Sequence, residues 1–331
     1  MREFYDDSSN NNKLKYFLNI LPLDTVEYAC AYGSGAVSQD DDDTSGKMID
    51  FIIATRDSSQ FHKQNLEMNP THYSSLRCLG YQKIVQVQRN YAARVYCNTR
   101  NQLIKYCVID VDDLLLDLID WRWMYLAGRL QKHVVDLVGP SPRISFAMKK
   151  NRLSASQAAL LLLPDKFILP QFYNEIISLS YRGDFRMLFG EDKNKIRRIA
   201  EGSKTQLNQI YVPLLKADKD VSIQGCIIEQ DRCSAVFFKR ILELPFNVLW
   251  NLQRKTNSRN GTQNDIEEIA ASLARRMDGP KPVAVAIKDI VRRSALQQTA
   301  KNMFSAGITR SALYTFAKIT KMLKSLKYLY H

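Results

Sequence analysis

Val26-Glu27-Tyr28-Ala29-Cys30-Ala31-Tyr32-Gly33-Ser34-Gly35, followed across an acidic loop by Met48-Ile49-Asp50-Phe51-Ile52-Ile53, is the stretch on which the reading of this chain turns. An apolar run stops at a pair of glycines, and a second apolar run carries one carboxylate in its middle. This is the pattern of a strand, a glycine turn and a strand with an embedded acid. Glycines at such a turn let the backbone approach a phosphate chain, and an acid on the next strand can hold the Mg²⁺ that bridges the phosphates. The intervening Gln39-Asp40-Asp41-Asp42-Asp43-Thr44-Ser45-Gly46 could capture a metal. Consecutive acids on a flexible loop repel one another, however, so a solvated loop is the favoured reading.

Working outward, residues 1–12 are polar, and Lys13 to Leu21 has the pattern of a short amphipathic helix closed by Pro22. Downstream, Asp57-Ser58-Ser59 caps a helix that runs to about Met68 and ends at Asn69-Pro70. His62, Asn65 and Asn69 share one face of it, with His72-Tyr73-Ser74 just beyond. Such a face could read a base or ribose by hydrogen bonds, and the residue types fit a polar surface equally well. The two histidines lack a third ligand at zinc spacing. Gly80 to Arg89 reads as a helix, and Ala93–Asn98 and Leu103–Asp110 as strands, so a mixed sheet covered by helices is expected.

Asp112 to Leu118 opens a helical stretch that is expected to continue through Trp121, Trp123 and Tyr125 to Lys132. On it Arg129 and Lys132 stand one turn apart, a spacing that suits two contacts to a phosphate chain and equally a solvated face. Gly139-Pro140-Ser141-Pro142 is the best boundary, and beyond it the pattern is mainly helical. Ser154 is expected to cap Ala155–Leu163, Pro170 begins a helix to Leu179, and Ser222–Glu229 is strand-like.

The chain has 331 residues, 45% hydrophobic and 24% charged, enough for two domains. Its net charge of +13 calls for an anionic partner: nucleotide, nucleic acid or acidic lipid. From residue 281 onward ten Lys or Arg face one acid, Asp289, so this segment carries +9 of that charge. From Leu313 apolar residues recur at 313, 316, 319, 323, 326 and 330, with Lys318, Lys321, Lys324 and Lys327 on the other side. That is a basic amphipathic helix able to lie on an anionic membrane, each lysine contributing roughly 1 kcal/mol, or to dock on its own core. No window approaches a membrane span, and six cysteines without a C-x-x-C point to a reducing compartment.

Taken together, these pieces resemble one family, the mitochondrial CDP-diacylglycerol synthases, which are phosphatidate cytidylyltransferases of the translocator assembly and maintenance type. The matching segments are Tyr32-Gly33-Ser34-Gly35, Met48-Ile49-Asp50-Phe51, Phe61-His62-Lys63-Gln64-Asn65-Leu66, Asn69 with His72-Tyr73-Ser74, and Tyr125 to Lys132. Leu179-Ser180-Tyr181, Gly183-Asp184-Phe185-Arg186, Gly190-Glu191-Asp192-Lys193 and Ser294 to Lys318 follow in the same order.

The resemblance implies an α+β chain. A nucleotidyltransferase-fold mixed sheet with flanking helices (residues 12–140) precedes a mainly helical, winged-helix-like domain (141–282). A basic membrane-binding region (283–331) with the amphipathic helix follows. It implies that CTP and phosphatidic acid give CDP-diacylglycerol and pyrophosphate with Mg²⁺, in the route to cardiolipin. The implied location is the matrix side of the mitochondrial inner membrane, held peripherally by anionic lipids.

By the same resemblance Gly33, Ser34 and Gly35 cradle the triphosphate and Asp50 binds Mg²⁺. Lys105, Arg129 and Lys132 are candidates for the phosphates, and His62, Asn65, His72 and Tyr73 for positioning nucleotide or headgroup. Tyr181, Asp184 and Arg186 would act from the second domain. Asp50-Phe51-Ile52 has one acid where nucleotidyltransferases generally carry two, so a second metal ligand must come from elsewhere. Ala92, Arg94 and Cys107 stand where the family favours glycine. That departure supports a second reading, a catalytically weakened membrane-associated scaffold that serves translocator assembly. A polymerase or tRNA-type enzyme is a third, disfavoured because the charge gathers in a terminal amphipathic helix rather than a groove; no nucleic-acid partner is expected. The oligomeric state is left open.

Overall fold

A computed structural model describes residues 14, 17–33, 36, 48–90, 94–98, 104–189, 194–276 and 280–306. Ser34, Gly35, the acidic loop, Ala92 and the basic helix with Lys318, Lys321, Lys324 and Lys327 lie outside the described residues.

The chain runs through β1 (Val26–Tyr32), β2 (Ile49–Thr55), α1 (Ser58–Met68), a 3₁₀ helix (Pro70–Leu79), α2 (Gly80–Asn90), β3 (Arg94–Asn98) and β4 (Ile104–Asp110). Next come α3 (Val111–Asp120), α4 (Ala127–Leu130), β5 (Val135–Val138), α5 (Pro142–Leu162), β6 (Lys166–Ile168) and α6 (Leu169–Leu179). The rest is α7 (Arg186–Phe189), α8 (Lys195–Gly202), α9 (Lys204–Ala217), β7 (Val221–Gln224), β8 (Ile227–Gln230), α10 (Ser234–Leu242), α11 (Phe246–Asn260), α12 (Ile266–Arg276) and α13 (Pro280–Ala306). The fold is α+β, as expected. It divides into two compact units, the first drawn from the described residues within Met1–Leu114, Val134–Ser145 and Gln297–Ser311, the second from those within Leu115–His133 and Phe146–Leu296.

The first unit is built on a five-stranded mixed sheet in the order β3-β4-β2-β1-β5. Only β2 and β4 run parallel; the other pairs are antiparallel. Alternation along the strands sends Ala29, Ala31, Phe51, Ile53, Tyr106 and Val108 to one face, where they pack with Phe61, Tyr73, Leu76 and Ile84. Leu14, Phe17, Leu18 and Leu21 complete this core, with the Phe17 and Phe51 rings 4.6 Å apart. α1 begins where expected, because the Asp57 carboxylate accepts the N–H groups of Ser59 and Gln60.

The second unit is mainly helical and carries a small antiparallel sheet in the order β6-β8-β7. The strand-like stretch Ser222–Glu229 is in fact a hairpin that turns at Gly225, with a φ of 63°.

Two expectations fail. Ser154 caps nothing: it is buried in the middle of α5, which runs unbroken from Pro142, a residue whose fixed φ suits a first helical turn. The helix expected to run from Asp112 to Lys132 stops at Asp120. Trp121 and Met124 adopt positive φ values of 52° and 53°, a conformation that costs a non-glycine residue on the order of 1 kcal/mol or more.

The compensation is one buried carboxylate. Asp117 Oδ1 accepts the backbone N–H groups of Trp123 (2.8 Å) and Met124 (2.6 Å), and Oδ2 those of Leu126 (2.9 Å) and Ala127 (3.0 Å). Trp121 donates its indole N–H to Asn151 Oδ1 at 2.9 Å, and Asn151 donates to the Ala127 carbonyl. Periodicity cannot reveal such a loop, because its residues are as apolar as those of a helix.

Candidate functional site

In the first unit, strand register assembles a row. Asp50 of β2 lies opposite Tyr32 of β1 and opposite Lys105 of β4, and Lys105 lies opposite Asn98 of β3. Directly opposed residues share a face, so the acid, the lysine and the residue before the glycine turn stand together at one end of the sheet. Gly33 has a φ of 85°, and a Cβ added there would lie 3.9 Å from Asp50 Oδ2. The turn backbone therefore runs beside the carboxylate, and it is the positive φ rather than crowding that favours glycine there. Lys105 Nζ stands 4.3 Å from the centre of the Tyr96 ring.

This donor set suits a hard cation that shares its ligands with phosphate. Among the described residues no group of three or more His, Cys, Asp and Glu gathers into a protein cage. Mg²⁺ commonly takes one or two carboxylates and completes its shell with substrate phosphates and water.

Asp110, at the C-terminal end of β4, stands well away from Asp50. It lies opposite Thr55, five residues along β2 from Asp50 and so roughly 16 Å away. Its carboxylate accepts from Ser58, Gln88 and Arg89. The acid that sequence reading missed is Asp136 on the short strand β5. It lies opposite Cys30 and accepts the Tyr28 hydroxyl at 2.8 Å, on the same face as Asp50. Only the four-residue alternation Val135-Asp136-Leu137-Val138 could have signalled it.

The glycine departures are also placed. Cys107 is fully buried, opposite Ile52 and Tyr96, and burial pushes the neighbouring Cys30 thiol up to about 12. The Arg94 backbone is opposite Ile109, four residues along β4 from Lys105 and about 13 Å from the row.

His62, Asn65, His72 and Tyr73 come together, but as a buried network: all four are at most 7% exposed. Gln88 donates to Ser58 and Asp110, which leaves its Oε1 to accept from His62 Nε2 at 2.8 Å. His62 is then the Nε2–H tautomer, and Nδ1 accepts the Tyr73 hydroxyl at 2.8 Å. Asn65 donates to both the Tyr73 and Tyr106 hydroxyls, and the Tyr106 hydroxyl shares a hydrogen bond of 2.9 Å with His72 Nδ1. Burial holds His62 down at about 4 and lowers His72, so both are neutral. These groups satisfy one another and brace the sheet beneath the row.

The second unit holds a separate cluster of cations. Gly128 is required by close approach, since a Cβ there would sit 2.2 Å from Ser180 Cβ. That contact presses the α4 turn against the Ser180-Tyr181 turn. Arg129 donates to the Tyr125 carbonyl at 2.8 Å and stacks 3.8 Å over the Tyr125 ring. Lys132 donates to the Gly128 carbonyl and, at 3.4 Å, lies near Ser180 Oγ. Asp184 is turned to Arg186, whose Nε and Nη2 donate to it at 2.9 and 2.6 Å. Lys195, which sequence reading did not single out, stands 5.2 Å from the Tyr181 ring centre, and Lys132 stands 5.5 Å from it.

A family profile described as "Phosphatidate cytidylyltransferase, mitochondrial" matches residues 14–321 of the chain. Proteins of the same name from Caenorhabditis briggsae and Caenorhabditis elegans are 45% and 44% identical over 319 residues, covering 95% of this chain and 99% of theirs. One from Drosophila melanogaster is 37% identical over 330 residues, covering 91% and 95%.

Proposed function

The chain belongs to the mitochondrial phosphatidate cytidylyltransferase family, and on that premise we propose that it joins CTP to phosphatidate, giving CDP-diacylglycerol and pyrophosphate in a Mg²⁺-dependent reaction. The observation that carries this reading is the row of Gly33, Asp50 and Lys105, which gathers a turn that admits phosphate, a carboxylate and a cation at one sheet end.

A phosphate oxygen of phosphatidate attacks the α-phosphorus of CTP as the bond to the β-phosphate breaks and pyrophosphate leaves. The attacking oxygen is already anionic, so the residues act mainly by positioning and by neutralising charge. The Gly33 backbone approaches the triphosphate, Lys105 offsets negative charge beside it, and Asp50 holds the ion. Mg²⁺ held by Asp50 would supply further neutralisation of the phosphate charge. The buried His62–Tyr73–Asn65 network keeps β4 and α1 in place beneath these groups. Arg129, Lys132, Tyr181 and Arg186 offer a second anionic subsite for the lipid phosphate.

The family names carry the word mitochondrial, and no described helix is long and apolar enough to cross a membrane. We place the enzyme peripherally on the matrix face of the inner membrane through its basic C-terminal region, in the supply of cardiolipin. Incubation with radiolabelled CTP, Mg²⁺ and phosphatidate vesicles is expected to give a lipid-soluble labelled product. A protein that forms none is not this synthase. Asp50→Asn is expected to lose nearly all turnover, and near-normal turnover would remove Asp50 from its role.

A further inference from the structure

We propose that Tyr96 is a positioning residue: its ring holds the Lys105 ammonium on the β3 side of the row, so that Lys105 does not close on Asp50 and the carboxylate stays open to a divalent cation. The proposal deepens the reading of Asp50 as the group that holds the ion, and it rests on that reading.

The placement follows from strand register. β2 and β4 run parallel with Asp50 opposite Lys105, and β3 and β4 run antiparallel with Tyr96 opposite Cys107. Lys105 and Cys107 point to the same face, so Lys105 has a carboxylate directly beside it on one flank and an aromatic ring diagonally across on the other. Paired strands are about 4.8 Å apart, and the long flexible stem of a lysine reaches either flank. An ammonium beside a carboxylate is ordinarily drawn into an ion pair. Among the described residues Lys105 enters no ion pair, and its Nζ stands 4.3 Å from the centre of the partly exposed Tyr96 ring.

The two flanks differ in what they do to the lysine. A carboxylate would cancel its charge and spend carboxylate oxygens in doing so, and both would then be lost to a ligand. A ring attracts the ammonium through its quadrupole, with no net charge to cancel it and no oxygen consumed. An ammonium and Mg²⁺ compete for the same oxygens, so a lysine that nothing holds is an internal competitor of the ion. The ring removes that competitor and keeps a full positive charge beside the glycine turn, where the triphosphate is read to lie.

Mn²⁺ titration of the full chain without lipid or nucleotide, followed by the electron paramagnetic resonance of the free ion, tests this. The part of the binding that belongs to Asp50 is the part lost in Asp50→Asn. Tyr96→Leu is expected to weaken that part about fivefold, the scale of a cation–π contact at a partly exposed site. Tyr96→Phe, which keeps the ring, should bind Mn²⁺ as the parent does. In a Lys105→Gln background no ammonium remains to compete, and Tyr96→Leu is expected to make no difference there. A ring that merely packs against β4 would weaken binding equally in both backgrounds. In the labelled-lipid assay the Mg²⁺ concentration for half-maximal turnover should rise about fivefold in Tyr96→Leu.

Unchanged Mn²⁺ binding in a folded Tyr96→Leu, equal weakening with and without Lys105, or a loss in Tyr96→Phe as large as in Tyr96→Leu would each overturn the proposal and leave the role of Asp50 intact. Mn²⁺ binding that Asp50→Asn does not alter would remove Asp50 from that role and overturn the proposal with it.

Discussion

Replacing Asp117 by Asn tests whether one carboxylate holds the loop from which the Arg129–Lys132 turn departs. The side chain is fully buried, and each of its oxygens accepts two backbone N–H groups. In Asn one of those oxygens becomes an NH₂ that cannot accept, so two buried N–H groups lose their acceptor whichever way the amide turns. At about 1–3 kcal/mol each, and with the charge lost at the remaining pair, the cost is about 3–6 kcal/mol. That is a large fraction of the roughly 5–15 kcal/mol that holds a typical protein folded.

Nothing in Asn relieves the positive φ at Trp121 and Met124, so the loop is expected to open before the unit melts. Thermal denaturation should show a fall on the order of 10 °C. Amide hydrogen exchange should show lost protection concentrated at residues 123–127. A melting point within about 2 °C of the parent, with those amides still protected, would refute the reasoning and assign the loop to packing of Trp121 alone.

Gly128→Ala is expected to be strongly destabilising and to raise the KM for phosphatidate, because its Cβ has no space beside Ser180. The double variant with Ser180→Gly should recover most of the loss in a thermal-shift and kinetic comparison, since the two clashing atoms would no longer coexist. Stability should also fall in acid through His62. Its folded value of about 4 is below the ordinary one of 6.5, so the unfolded chain binds the proton first. The contribution, about 3 kcal/mol, is complete above pH 6.5 and is lost as pH falls toward 4. Urea titrations across that range should show the slope, and His62→Gln should flatten it. Deleting Leu313 to His331 is expected to reduce sedimentation with anionic liposomes, and unchanged sedimentation would favour a helix docked on the protein itself.

Much of the fold was legible because the sheet obeys simple alternation. β1, the Gly33 turn and the Asp50 strand follow from apolar runs bounded by glycine, and β4 from the alternation of Ile104, Tyr106 and Val108. The site was legible only in part. That His62, Asn65 and Asn69 lie on one helix face follows from spacing, whereas the mutual satisfaction of His62, Asn65 and Tyr73 with Tyr106 depends on a strand more than forty residues away from His62. Nothing local marks Asp117, because an exposed carboxylate and one that four amides enclose read alike in sequence. That Lys195 and Lys132 both stand by the Tyr181 ring is likewise not readable from spacing.

The short strand β5 also bears on how this protein comes into being. Ala29 to Ala31 pair with Val135 to Val138, which leave the ribosome about a hundred residues later. At about 5–20 residues per second, β1 waits on the order of 5–20 seconds for that neighbour. During the wait an apolar strand with high β propensity presents an open row of amides and carbonyls, the very surface on which nascent chains associate. A fragment that ends before Val135 never leaves that condition, so the five-stranded sheet, although most of it is written in the first third of the chain, belongs to a longer stretch of translation.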